Sequence, residues 1–152
     1  MNKNIEKTVC LQTPSGDVLT SILIQFQENE ISSHVFLQLN YQEHTYISQG
    51  TDYLWMDAFA ALEEQLPDNV KLKCCLTCRH GNLCPVGTPP DTIYCMEDVL
   101  ISEKYDVLTY LIDREEDDTR KRSSTYFCPK YQRQRKDFYT YNDYLYHLKK
   151  EL

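Results

Sequence analysis

VLTSILIQFQENEISSHVFLQLNY, residues 18–41, decides the fold. Ile22, Ile24 and Phe26 share one parity, and Val35, Leu37, Leu39 and Tyr41 alternate with Phe36, Gln38 and Asn40. An apolar residue at every second position is the pattern of a strand with one face on a core and the other in water. Asn29 and Glu30 turn the chain between the two runs. Upstream, Lys7 to Thr13 reads as a strand closed by the turn PSGD at 14–17, where Pro14 and Gly16 suit a tight reversal. Downstream, Glu43 to Ser48 reads as a shorter fourth strand. The opening of the chain is therefore an antiparallel meander.

Gly50, Thr51 and Asp52 open a helix in which Leu54, Trp55, Ala58, Phe59, Leu62 and Leu66 form one apolar stripe. Asp57, Glu63 and Glu64 take the wet side, and Pro67 ends the helix. Adjacent helix positions do not face each other, so Glu63 and Glu64 read as a solvated pair, not an acid/base couple. Val70 to Leu76 returns to strand character. Val70, Leu72 and Cys74 fall on the core parity, which turns Cys75 toward the following loop. Val99 to Ser102 and Tyr105 to Asp113 read as strands, the second on its β-branched and aromatic content. Residues 114–124 lack apolar side chains and read as an exposed loop. Ser124 to Cys128 is a last strand stopped by Pro129. A helix follows from Asn142, with Tyr141, Tyr144, Leu145, Leu148 and Leu152 on one face and Lys149 and Lys150 at its end. The fold class expected is α+β: an antiparallel sheet, one packed central helix, a cysteine-pinned loop region and a C-terminal helix.

At 152 residues the chain is one domain by default, with a meander and helix over 1–70, a cysteine-rich half over 71–135 and a helical tail over 136–152. The formal net charge of −7 excludes polyanion binding by bulk electrostatics. The charge is unevenly spread: residues 1–70 hold two basic and ten acidic side chains, whereas 71–152 hold fourteen and thirteen. No cationic leader precedes an apolar run, and no apolar run approaches the roughly 20 residues a spanning helix needs. The chain reads as soluble and cytoplasmic, with no membrane partner. Thiols stay reduced in that compartment, and seven cysteines, an odd number, suit a disulfide framework poorly.

The stretch KCCLTCRHGNLCPVGTPPDTIYC, residues 73–95, holds five of the seven cysteines, two of the four glycines and three of the six prolines. Zinc takes four N or S donors, and a CxxC turn offers two thiolates from neighbouring backbone positions. Cys75, Cys78, Cys95 and Cys128 are the candidate ligands, with Cys84 and His80 as rivals within the same loop. An iron–sulfur cluster uses the same donors. Reduced core thiols without metal are the plainer alternative. The metal reading is preferred because GNLCPVGTPPD is polar and turn-rich, and apolar packing alone would hold it poorly.

KCCxxCRxxxxxPxG, a later cysteine at 95, and TYxCPxYxR at 125–133 together resemble an uncharacterised family of small bacterial proteins, a domain of unknown function. The preceding LEEQLP and KLKCC also fit, so the resemblance covers residues 60–135. The family pattern is matched by Cys74, Cys75, Cys78, Cys95 and Cys128, with Cys10 and Cys84 as extras. It implies bacterial origin and shared architecture and brings no activity. The tyrosine-rich tail after Arg135 departs from the pattern.

A second feature is charge. Arg120, Lys121, Arg122, Lys130, Arg133, Arg135 and Lys136 fall within 120–136 with no acid among them, interleaved with Tyr126, Phe127 and Tyr131. Such a mix can pair with phosphates while aromatic faces stack on bases. The acidic DREEDD at 113–118 offers these cations an internal partner across a hairpin, and that structural reading is preferred. A protein is therefore the expected macromolecular partner ahead of nucleic acid. Catalysis has the least support. No GxGxxG, P-loop, HExxH or GxSxG occurs, His34, His44, His80 and His147 cannot be placed beside a thiol from sequence, and a redox Cys75/Cys78 pair lacks the βαβ context.

Overall fold

The computed structural model describes residues 2–28, 32–112 and 118–148. The chain is α+β. Strands β1 (Asn2–Thr13), β2 (Gly16–Glu28), β3 (Ser33–Tyr41) and β4 (His44–Gly50) form the meander, and β5 (Lys71–Lys73) adds to the free side of β1. The resulting antiparallel sheet has the order β4-β3-β2-β1-β5. Register follows from the alternation: Ile22 pairs with Leu39 and Ile24 with Leu37, so the apolar parities of both strands coincide on one face. With Val9, Leu11, Val35 and Leu72 they are buried in one cluster. Gly16, at φ 118, makes the β1–β2 reversal that a side chain would strain. The turn expected at Asn29 and Glu30 lies outside the described residues.

The helix covering that face, α1 (Met56–Gln65), starts later than its stripe suggests. The Asp57 carboxylate accepts the backbone N–H groups of Thr51 (2.9 Å) and Asp52 (3.2 Å), and the Asp52 side chain accepts that of Leu54 (2.8 Å). These bonds offer residues 51–55 an alternative to the helix, and Trp55 sits at φ 68. Trp55, Ala58, Phe59, Leu62 and Leu66 are buried as their spacing indicates. Glu63 is not on the wet side. It lies one helical repeat from Met56 and Phe59 and is buried, with Arg133 bonding both carboxylate oxygens at 2.8 and 2.7 Å.

Beyond β5 regular structure is scarce, and several expected elements are replaced. The strand expected through Leu76 stops at Lys73 and gives way to a 3-10 turn, Cys75–Thr77. A three-stranded sheet of short strands follows: β6 (Gly81–Asn82), β7 (Ile93–Cys95) and β8 (Lys121–Arg122), in that order. Val99 to Ser102 forms no strand. Tyr105 to Asp113 is not a strand either, since α2 spans Lys104–Leu111. The Asp106 carboxylate accepts from Ser102 N–H and Oγ–H (both 2.9 Å) and Glu103 N–H (3.2 Å), which starts the helix that side-chain content argued against. Val107 and Leu111 then pack with Tyr94 and Met96 in a second, smaller core.

Ser124 to Cys128 is irregular, and within the 114–124 segment Arg120 is buried, not exposed. The terminal helix is α3 (Tyr144–His147), with Tyr144 and Leu148 in the main core; Lys149, Lys150 and Leu152 lie outside the described residues. Tyr141 precedes this helix and packs on the smaller core.

Candidate metal centre

Three separate pieces of chain meet beside the 3-10 turn. The turn itself holds Cys75 and Cys78 one hydrogen bond apart, Cys78 N–H donating to the Cys75 carbonyl at 3.3 Å. The segment 124–134 runs alongside it: Cys75 N–H donates to Tyr126 O (2.7 Å), Leu76 N–H to Ser124 O (3.0 Å), Arg79 N–H to Gln132 O (2.7 Å) and Gln134 N–H to Thr77 O (2.9 Å). That ladder carries Cys128 to the turn. From the other side Gly81 pairs with Cys95, and Met96 N–H donates to His80 O at 2.9 Å. Gly81 permits the approach, because a Cβ there would stand 2.1 Å from the Cys75 carbonyl oxygen and 2.8 Å from Ile93 Cγ2.

Cys75, Cys78, Cys95 and Cys128 consequently line one cavity of about 20 Å³, together with His80, Gly81, Ile93, Glu97 and Lys130. That volume is of the order of a single water or ion. Cys84, the rival within the loop, is elsewhere: its backbone N–H donates to Thr88 Oγ1 at 2.8 Å and its side chain packs on the smaller core. Cys74 is fully buried in the main core, where burial pushes its thiol up to about 12. Cys10 is buried on β1 opposite Lys73. His80 borders the cavity, meets Phe138 edge-on with ring centroids 5.8 Å apart, and has its pKa lowered chiefly by burial.

Sulfur chemistry is present, but the sulfurs are not drawn into a coordination shell. Among the described residues no group of three or more His, Cys, Asp or Glu side chains is placed so as to hold a metal ion. Burial raises the Cys75 and Cys78 thiols, and at Cys75 the neighbouring thiols raise it further. Zinc takes thiolates, so a metal must displace the protons of these thiols to bind. The donor set itself suits a thiophilic ion. Glu97 and Lys130, paired at 3.3 Å, stand on the cavity's border.

The basic stretch is divided by the fold. Arg120 bonds Asp98 (2.7 Å) and the Cys95 carbonyl (3.0 Å), Lys130 pairs with Glu97, Arg133 with Glu63, and Arg135 with Asp137. Arg122 bonds the carbonyls of Thr119 (2.8 Å) and Lys121 (2.9 Å). Lys121 and Lys136 are exposed. Most of the acidic DREEDD lies outside the described residues, and the described carboxylate partners of these cations are Glu63, Glu97, Asp98 and Asp137. The Glu63–Arg133 pair was not anticipated, although the spacing 56, 59, 63 put Glu63 on the apolar stripe and could have signalled it. Comparison with protein-family models, curated proteins and solved structures gives no match to this chain.

Proposed function

We propose that Cys75, Cys78, Cys95 and Cys128 hold one zinc ion, and that its role is structural. The observation that supports this is the shared cavity: four thiols separated in sequence line it, and none of Cys10, Cys74 and Cys84 does. Zinc supplies a closed tetrahedral cross-link at such a site. The chain's own residues do the rest. The turn and the two flanking backbone ladders bring the thiols together, Lys130 offers positive charge to thiolates, and the buried Cys75 and Cys78 give up protons on binding, so affinity rises with pH. The ion then pins the irregular half of the chain to the sheet. The molecule is a small module whose pinned loops form a surface for a macromolecular partner.

Elemental analysis of freshly purified protein is expected to give one zinc per chain and no iron or acid-labile sulfide. Cys75→Ser, Cys78→Ser, Cys95→Ser and Cys128→Ser should each lower bound zinc and the Tm. Cys10→Ser, Cys84→Ser and His80→Ala should keep the metal. Cys74→Ser should cost stability through a buried hydroxyl while retaining zinc. Loss of metal in the Cys84 variant with retention in the Cys128 variant would replace the long-range site by a local one. Iron with sulfide would replace zinc by a cluster, and bare protein that refuses added zinc would end the reading.

A further inference from the structure

The cations of the basic stretch do not share one fate. Arg120 and Arg133 are held by carboxylates within the fold, and Lys130 pairs with Glu97. Arg135 and Lys136 instead border a groove of about 420 Å³, between residues 134–140 and α3. Phe138, Tyr139 and Tyr146 line the same groove, with Tyr146 76% exposed. The volume is that of a small-molecule site. Its floor is fixed: Asn142 donates to the carbonyls of Leu76 (3.0 Å) and Gly81 (2.9 Å), and Gln134 donates to Leu76 O (2.9 Å). The Arg79 guanidinium lies over the Phe138 ring at 5.0 Å, which helps to hold that ring in place.

We propose that this groove binds a nucleotide unit, its base stacked on the exposed aromatic rings and its phosphate paired with Lys136 and Arg135. Aromatic faces at a groove wall with cations at its rim are the elements of base-and-phosphate recognition. The existing partner of Arg135 is no barrier. Both members of the Arg135–Asp137 pair are more than half exposed, and such pairs contribute little, so a phosphate can take the guanidinium over. A peptide ligand would call for an open strand edge or a cluster of arginines; one arginine and one lysine beside aromatic rings match a nucleotide better. The proposal stands apart from the zinc reading, since no cysteine lines the groove.

The same chemistry is found in a free mononucleotide and in a single strand, and length dependence separates them. Fluorescence anisotropy with a labelled ten-nucleotide oligothymidylate, and competition by adenosine monophosphate, are measured on the full chain at about 50 mM salt. Tyr146→Ala, Tyr139→Ala and Lys136→Gln should each weaken binding by about tenfold, and Lys136→Gln should also flatten the salt dependence by about 0.7 for a lost phosphate contact. Lys121→Gln, in the basic stretch but away from the groove, should bind as the parent does. Zinc content should be unchanged in all four variants, which separates failure here from failure of the metal site. Competition by the mononucleotide at the oligonucleotide's affinity identifies a free nucleotide; affinity that grows with length identifies a strand. Binding of neither probe overturns the proposal, as does a loss in Lys121→Gln equal to that in Lys136→Gln. Tyr146 is exposed enough that its removal does not threaten folding, so an unaffected Tyr146→Ala also overturns it.

Discussion

The five-stranded sheet satisfies its backbone between long neighbouring strands and buries its apolar side chains as one continuous cluster with α1. Past Cys74 no described strand exceeds three residues, and the backbone is held by bonds between irregular segments together with buried polar side chains. Asn142 carries the carbonyls of Leu76 and Gly81, Thr77 Oγ1 donates to Leu72 O (2.9 Å), and Asp91 takes up Ser123 Oγ–H (3.1 Å) and Ser124 N–H (3.2 Å). The difference lies in where stability is concentrated. Apolar burial in the sheet is one continuous cluster, whereas the cysteine-bearing half adds to a smaller core and loop-to-loop backbone bonds a few buried polar side chains whose loss leaves a partner buried and unpaired. A metal cross-link belongs in the second kind of structure.

The strongest test of that contrast is the pair joining the two regions. Arg133→Ala should cost about 3–5 kcal/mol, because Glu63 stays buried without its counter-charge, as much as emptying the sheet core with Phe59→Ala, also about 3–5 kcal/mol. Replacing both partners together, Glu63→Gln with Arg133→Met, should recover most of the loss in urea unfolding, because the glutamine keeps an acceptor for the Leu72 backbone N–H (2.8 Å). A double variant as unstable as the single one would mean that Arg133 acts through its other contacts and not through the charge.

Gly81→Ala comes next. Its methyl would meet the Cys75 carbonyl, which is backbone and cannot swing away, so a cost of about 1–3 kcal/mol is expected. Zinc affinity should fall with it, since the turn carrying Cys75 must shift. Gly16→Ala, at the β1–β2 reversal, should lower stability through its positive φ while leaving zinc affinity alone.

The same contrast explains what could be read before folding. Period-2 alternation at 22–26 and 35–41 reports burial on one face directly, so the meander and the buried parity through Cys74 were legible. The stripe of α1 was legible too, except for Glu63, where charge was weighed above position. Residues 104–111 failed because β-branched and aromatic content spoke for a strand while the Ser102–Asp106 cap decided for a helix. The grouping of the four cysteines was suggested by spacing, but the ladder that delivers Cys128 lies between irregular segments and leaves no period to detect. The groove at 134–146 escaped notice because its rings and cations follow no repeat.

A smaller effect comes from Tyr144 of α3, which is fully buried. Burial first, and Glu63 second, hold its phenol well above the ordinary value near 10. The native state therefore keeps a proton that the unfolded chain releases, so the stability involved is complete below pH of about 10 and is lost as pH rises beyond it. Denaturant midpoints measured upward from pH 9 should fall, and Tyr144→Phe should fall less steeply. Equal slopes would assign the alkaline loss to other buried groups.

The smallest effect expected is at the start of α2, where the helix is set by one half-buried carboxylate. Asp106 accepts three hydrogen bonds from Ser102 and Glu103, and those from Ser102 do most to hold its pKa below the usual carboxylate range. For a depressed carboxyl the unfolded chain takes up the proton first. Its contribution is therefore present above the ordinary value near 4 and fades as pH falls through the native one. Asp106→Asn should unfold at lower urea than the parent at pH 7, and the two should converge as the pH falls through the native value. Because Val107 and Leu111 anchor only the smaller core, the loss should appear as faster amide exchange in 102–111 before it appears in the sheet. Exchange that quickens equally in β2 and β3 would show that the two regions unfold as one unit, and the contrast drawn between them would then be one of construction without being one of stability.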